Sequence, residues 1–263
     1  MPLTLKLSRK WTDRYALIVL SGLLPVVLGV LIIIWQAHRS LELEATRTAT
    51  EAVRQFDLML DNAKLAADIV LPLAGQECPQ VELALREQVV RRPFVRSVIL
   101  VWHNQVYCTS LFGSFKAAVN PDLYKDGVLS LMDGTDVTPE DPVLVYRQNN
   151  GERGVLIVLY GSHLVNLLAL INPKTELIIE VGNHWIDRYG QVRNTPTPQP
   201  PSALTAVSSP AFPYRVVAGF DKDEVWRRII VEYPGLLGLL IFLGLISAAT
   251  VNRLKKRSSS PTH

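Results

Sequence analysis

Two apolar runs decide most of what this chain can fold into. From Tyr15 to Ala37, the stretch YALIVLSGLLPVVLGVLIIIWQA carries no charge over 23 residues. A second stretch, PGLLGLLIFLGLISAATV from Pro234 to Val251, carries none over 18. A helix of about 20 apolar residues crosses a hydrocarbon core of about 30 Å, so each run is long enough to span a bilayer. The first run also exceeds the roughly 7–15 apolar residues of a signal peptide, and no small-x-small cleavage site follows it. Uncleaved transmembrane helices are therefore expected over 15–37 and 233–251.

Charge sets the expected orientation. Lys6, Arg9, Lys10 and Arg14 precede the first run, and Arg253, Lys255, Lys256 and Arg257 follow the second. Basic flanks belong on the cytoplasmic side, which makes 1–14 and 252–263 cytoplasmic and leaves 38–232 outside, in a periplasm-like compartment. That middle segment holds 19 of the 27 basic residues and 23 of the 24 acidic ones. The overall charge of +3 is thus a topology signal from the anchor flanks. It is not a nucleic-acid footprint, and the lipid bilayer is the first expected partner.

After the first run, SLELEATRTATEAVRQFDLMLDNAKLAADIVLPLAG reads as one long helix without Pro or Gly before Pro72. Leu41, Ala45, Ala49, Ala52, Phe56, Leu60 and Ala63 recur three or four apart, opposite Glu42, Arg47, Glu51, Arg54 and Asp57. Such a helix suits a signalling stalk that packs on a partner stalk, or a core helix of its own domain. A short helix, QVELALREQVVRR, follows Cys78 and Pro79. FVRSVILVW and QVYCTSLFG, separated by His103 and Asn104, read as a β-hairpin with Cys108 on its second strand. Further strands are expected over 127–134, 142–149, 154–162, 176–186 and 213–220, with a short helix at SHLVNLLALI. The proline-rich NTPTPQPPSA (194–203) reads as a surface loop. DKDEVWRRIIVEYPG begins a closing helix, with Asp221 and Glu224 at capping-box spacing and a kink expected at Pro234. The order predicts an α+β sensor domain, long helix plus antiparallel sheet, of PAS-like or Cache-like kind. On the second anchor, Gly238, Gly244 and Ala248 form a small-residue face that permits close helix packing.

The chain has two cysteines, Cys78 and Cys108. In an oxidising compartment such a pair usually forms one disulfide. Closing a loop of about 30 residues stabilises by roughly 3–4 kcal/mol in the chain-entropy treatment. A domain of this size can bury a core without that help, so the bond reads either as a structural staple or as a regulatory element.

The segments ECP (77–79) and YCTSL (107–111), placed between two membrane spans, resemble the CSS-motif sensory domain. That domain stands at the N-terminus of bacterial cyclic di-GMP phosphodiesterases of the EAL class. The residues that carry the resemblance are Cys78, Cys108 and Ser110, with Thr109 where the motif's name places Ser. The resemblance implies a redox-sensitive periplasmic domain in a bacterial inner membrane, whose Cys78–Cys108 bond restrains a cytoplasmic EAL domain. It also implies release through homodimerisation of the second anchor, and exchange with the periplasmic thiol-disulfide machinery. The stretch NRLKKRSSSPTH carries no EAL signature, so such a domain is expected either in a longer chain or in a separate one.

No catalytic motif and no cofactor site is expected here. His38, His103, His163, His184 and His263 have no metal-ligand spacing, and there is no CxxC pair. A Cys108–His103 nucleophilic pair is a weak reading. Trp102, Trp185, Tyr146 and Tyr160 read as core aromatics or as the lining of a ligand pocket. The leading expectation is a redox-responsive transmembrane sensor, and the alternative is a ligand-binding sensor with a purely structural disulfide.

Overall fold

The structure is a computed structural model that describes residues 6–134, 141–198 and 202–258. Residues 199–201 of the expected loop, and 259–263 of the basic tail, lie outside these. The chain divides into two compact units, Glu42–Asp221 and the pair Met1–Leu41 with Lys222–His263.

The first anchor and the helix after it are one element, α1 (Lys6–Val70), of 65 residues. Then come α2 (Cys78–Arg91), β1 (Val95–Trp102), β2 (Gln105–Thr109), β3 (Gly113–Ala118), β4 (Leu129–Met132), β5 (Val143–Asn150) and β6 (Arg153–Tyr160). The chain continues through α3 (Gly161–Ile171), β7 (Glu176–Val181), β8 (His184–Asp187), β9 (Val192–Arg193), β10 (Ser202–Ser208) and β11 (Arg215–Phe220). It closes with α4 (Lys222–Glu232) and α5 (Pro234–Ser258).

All seven predicted α1 positions, from Leu41 to Ala63, are at most 1% exposed. That face of the helix is filled by the protein itself, as the core-helix reading expects. On that face Phe56 and Leu60 each contribute roughly 1.5–3 kcal/mol of burial.

Every strand pairing is antiparallel, so the α+β class holds. The larger sheet has the order β3-β2-β1-β6-β5-β4, the smaller β10-β11-β7-β8-β9. Strand β6 is buried on both faces along GVLIVL, as the central strand of a sheet covered on both sides must be. On one face lie Leu100, Leu144, Ile157 and Leu159, all buried. On the other, Val101, Val143, Val145, Leu156 and Val158 form a cluster with Tyr124. The β1–β2 turn works because His103 and Asn104 both adopt positive φ, 49° and 58°. This is the left-handed pair that a tight hairpin turn demands.

The structure departs from expectation at several elements. The stretch expected as one strand over 176–186 breaks at Gly182, whose φ of 60° turns β7 back into β8. Part of the proline-rich loop is strand β10, edge partner of β11. Strand β3, whose GSFKAA lacks β-branched residues, was also not expected. At Pro234 the helix does not merely kink. α4 ends at Glu232 and α5 starts on the proline itself, a position where a missing N–H costs nothing.

Among the described residues two helices are long and apolar enough to cross a membrane, α1 from Val19 and α5 to Leu254. Their apolar side chains point outward: Leu24, Ile32 and Trp35 on α1, and Phe242 and Leu245 on α5, are all more than half exposed. A soluble fold would hide such residues, whereas a bilayer solvates them. Within this unit, Ser247 donates its hydroxyl proton to the Ser21 carbonyl at 2.9 Å.

Candidate functional site

Helix α2 begins on Cys78, with Pro79 in its first turn. Strand β2 carries Cys108, and the two are joined in a disulfide with their Cα atoms 5.2 Å apart. Cys108 is fully buried and Cys78 is 6% exposed. With both sulfurs in the bond, Cys108 has no thiol to act as a nucleophile. His103 instead pairs with Glu152 at 2.8 Å, on the exposed hairpin end.

The residues after Cys108 hold the strand and its turn by local hydrogen bonds. Ser110 is buried and bonds three ways: its Oγ accepts from the Val98 amide at 3.0 Å, its own amide donates to the Val98 carbonyl at 2.8 Å, and its carbonyl accepts from Arg86 Nε at 3.1 Å. Thr109, also buried, accepts from the Phe112 amide at 2.9 Å through Oγ1. A serine would supply the same oxygen, so the threonine keeps the bond that the site needs. The turn ends at Gly113, whose φ is 69°.

Sequence reasoning missed the support from α2. Cys78, Glu82 and Arg86 stand four apart, on one face of the helix. Arg86 pairs with Glu82 while donating to the Ser110 carbonyl. Glu82 also faces Gly113, where an added Cβ would meet its carboxylate at 3.3 Å. The four-residue spacing from Cys78 was the readable signal. A second support is Tyr107, whose hydroxyl accepts from the Gly75 amide at 2.8 Å. Burial, partly offset by that amide, raises the Tyr107 pKa.

The other predicted positions lie elsewhere. Trp185 and Tyr146 are core, with Trp185 Nε1 donating to the Thr195 carbonyl at 2.8 Å and Tyr146 edge-on to Phe212. Tyr160 is 44% exposed. On α5, Gly244 and Ala248 lie against Gly22 of α1: a Cβ on Gly22 would come within 3.1 Å of both the Gly244 carbonyl oxygen and the Ala248 side chain. An added Cβ on Gly238 meets nothing within 4 Å. Among the described residues no cluster of three or more His, Cys, Asp or Glu could hold a metal ion.

The site is thus a disulfide between the first turn of a helix and a buried strand, followed by a hydroxyl-bonded turn. The family model "CSS motif domain associated with EAL" matches residues 41–230, and the chain belongs to that family. Two curated relatives come from Escherichia coli (strain K12). The probable cyclic di-GMP phosphodiesterase PdeD is 37% identical over 221 residues, covering 78% of this chain and 41% of its own length. The probable cyclic di-GMP phosphodiesterase PdeG is 21% identical over 244 residues, covering 92% of this chain and 48% of its own. The chain thus spans about half the length of the curated relatives it matches. Among solved structures, the sensory domain of the Campylobacter jejuni chemoreceptor Tlp3 is similar with a TM-score of 0.48 and 9% identity, covering 74% of this chain and 98% of that one. The periplasmic domain of RsbU from Chlamydia trachomatis has a TM-score of 0.48 and 11% identity, covering 74% and 97%.

Proposed function

We propose that this chain is a redox-responsive transmembrane sensor whose output is cyclic di-GMP hydrolysis by an EAL domain, in the same chain or in a partner. The observation that carries this reading is the buried Cys78–Cys108 bond, set directly against the hydroxyl-bonded turn at Thr109 and Ser110. Family membership and the names of the two relatives support the phosphodiesterase output.

In this reading residues 38–232 face the periplasm and both termini face the cytoplasm of a bacterial inner membrane. A periplasmic dithiol attacks one sulfur as a thiolate, forms a mixed disulfide, and resolves it with its second thiol. The dithiol leaves as a disulfide, and Cys78 and Cys108 are left as two thiols. Cys78 is the entry point, since Cys108 is wholly buried. Reduction frees β2 from α2, and the change passes to the anchors, where Gly244 and Ala248 exchange their contact with Gly22 of α1 for packing, together with the open Gly238, between copies of α5. The closed bond restrains the output.

The test is cyclic di-GMP hydrolysis by membranes carrying this sensor joined to its EAL domain. Cys78→Ala and Cys108→Ala are expected to give the same raised, reductant-insensitive activity, since either change removes the same bond. Activity that stays reductant-responsive in either variant, or that differs between them, overturns the proposal.

A further inference from the structure

We propose that a cavity on the far side of β2 from the disulfide binds a small aliphatic carboxylate. The cavity measures about 210 Å³ and opens beside Thr109. At about 30 Å³ for each water-sized group, it holds roughly seven such groups, the bulk of a short acid rather than a peptide.

Its floor is apolar, made by Ile99, Val106 and Val158 of the outer sheet face. Phe112 and Phe115 form its rim, their rings 5.8 Å apart and about half exposed. Two consecutive residues of β1, Arg96 and Ser97, add polar groups to this lining. Consecutive strand residues ordinarily face opposite ways. Here Val95 lies opposite Leu159 and Ser97 opposite Val158, so Arg96 is the extra residue of a bulge. A bulge breaks the alternation and re-aims a side chain, which is how both neighbours reach one cavity.

Neither polar group has an internal hydrogen-bond or ion-pair partner among the described residues. Among the described residues, the Arg96 side chain makes no ion pair or hydrogen bond, only a contact over the Tyr160 ring at 5.8 Å. Ser97 is 8% exposed, and its hydroxyl bonds to no described residue. An arginine whose guanidinium is held only by the Tyr160 ring, and a serine hydroxyl with no described partner, both in the lining of an apolar cavity, match a carboxylate, which accepts from both once the guanidinium swings off the ring, with an alkyl tail for the valine and isoleucine floor. The two polar residues point to the chemical class, and the volume accommodates a short alkyl chain. The inference does not rest on redox control, because binding is measured with the bond closed.

The experiment titrates hexanoate into the full chain in lipid nanodiscs by calorimetry, with empty nanodiscs as the blank. Saturable one-to-one binding is expected, with hexan-1-ol and hexylamine at least tenfold weaker. Arg96→Gln should weaken hexanoate at least tenfold while leaving the disulfide and thermal transition in place, and Ala117→Phe should fill the cavity and abolish binding. Arg193→Gln, in the other sheet, should change nothing. Absence of saturable uptake, equal binding of the alcohol, or full affinity in Arg96→Gln overturns the proposal.

Discussion

The two sheets are clamped to the helices by different chemistry. The larger sheet is tied to α2 covalently, through Cys78–Cys108, and Arg86 adds a hydrogen bond to the Ser110 carbonyl. The smaller sheet is tied to α1 through Asp57, which accepts from the Tyr214 hydroxyl and from Ser209 Oγ, each at 2.7 Å. Tyr214 also reaches the Val53 carbonyl at 3.0 Å and lies 5.8 Å from the Phe56 ring. The first clamp opens by electron transfer without loss of any packed side chain. The second opens only by breaking the core it belongs to. The proposed switch takes the first as its joint and the second as its frame.

The comparison can be broken from either side. Cys108→Ala, or Cys78→Ala, removes the closed loop of 30 residues and should cost about 3–4 kcal/mol in equilibrium unfolding of the unit Glu42–Asp221. Reductant should then have no further effect. Tyr214→Phe should cost roughly 1–3 kcal/mol, since it removes the hydroxyl donor from the part-buried Asp57 carboxylate and leaves it with Ser209, and its effect should be the same with the bond open or closed. Ser110→Ala strands the Val98 amide and should cost about 1–2 kcal/mol by the same measurement. Thr109→Ser keeps the Phe112 bond and should lie within about 0.5 kcal/mol of the parent, while Thr109→Val should not.

A pH titration sharpens the contrast. Burial, then the hydrogen bond to Asp57 and its charge, hold the Tyr214 pKa well above the ordinary value of 10.0. The native state therefore keeps the proton when the unfolded chain has lost it. Stability from this group is complete below pH 10 and falls as pH rises above it, by about 1.4 kcal/mol per pH unit. Chemical unfolding between pH 9 and 11 should show this slope diminished in Tyr214→Phe.

The covalent clamp was more legible than the polar one, for a physical reason. Two cysteines and no others leave one pairing, and the 3.6-residue period from Leu41 to Ala63 announced the buried face of α1. Both signals are local or combinatorial. The Tyr214–Asp57 contact spans 157 residues and has no spacing to betray it. Strand β10 was hidden by the prolines before it, and β3 by its small and polar residues. The Arg96 bulge was equally invisible, because it exists only as a register shift against β6. Within the site, the motif residues could be named in advance, but the bonds that make Thr109 and Ser110 a turn depend on Phe112 and Val98.

The most direct test is thiol accessibility in the full membrane-inserted chain, read by gel mobility after alkylation at graded reductant, alongside circular dichroism. The account predicts that both thiols appear under mild reductant while the fold signal persists. A bond that yields only when the domain unfolds would make Cys78–Cys108 a staple and contradict the switch.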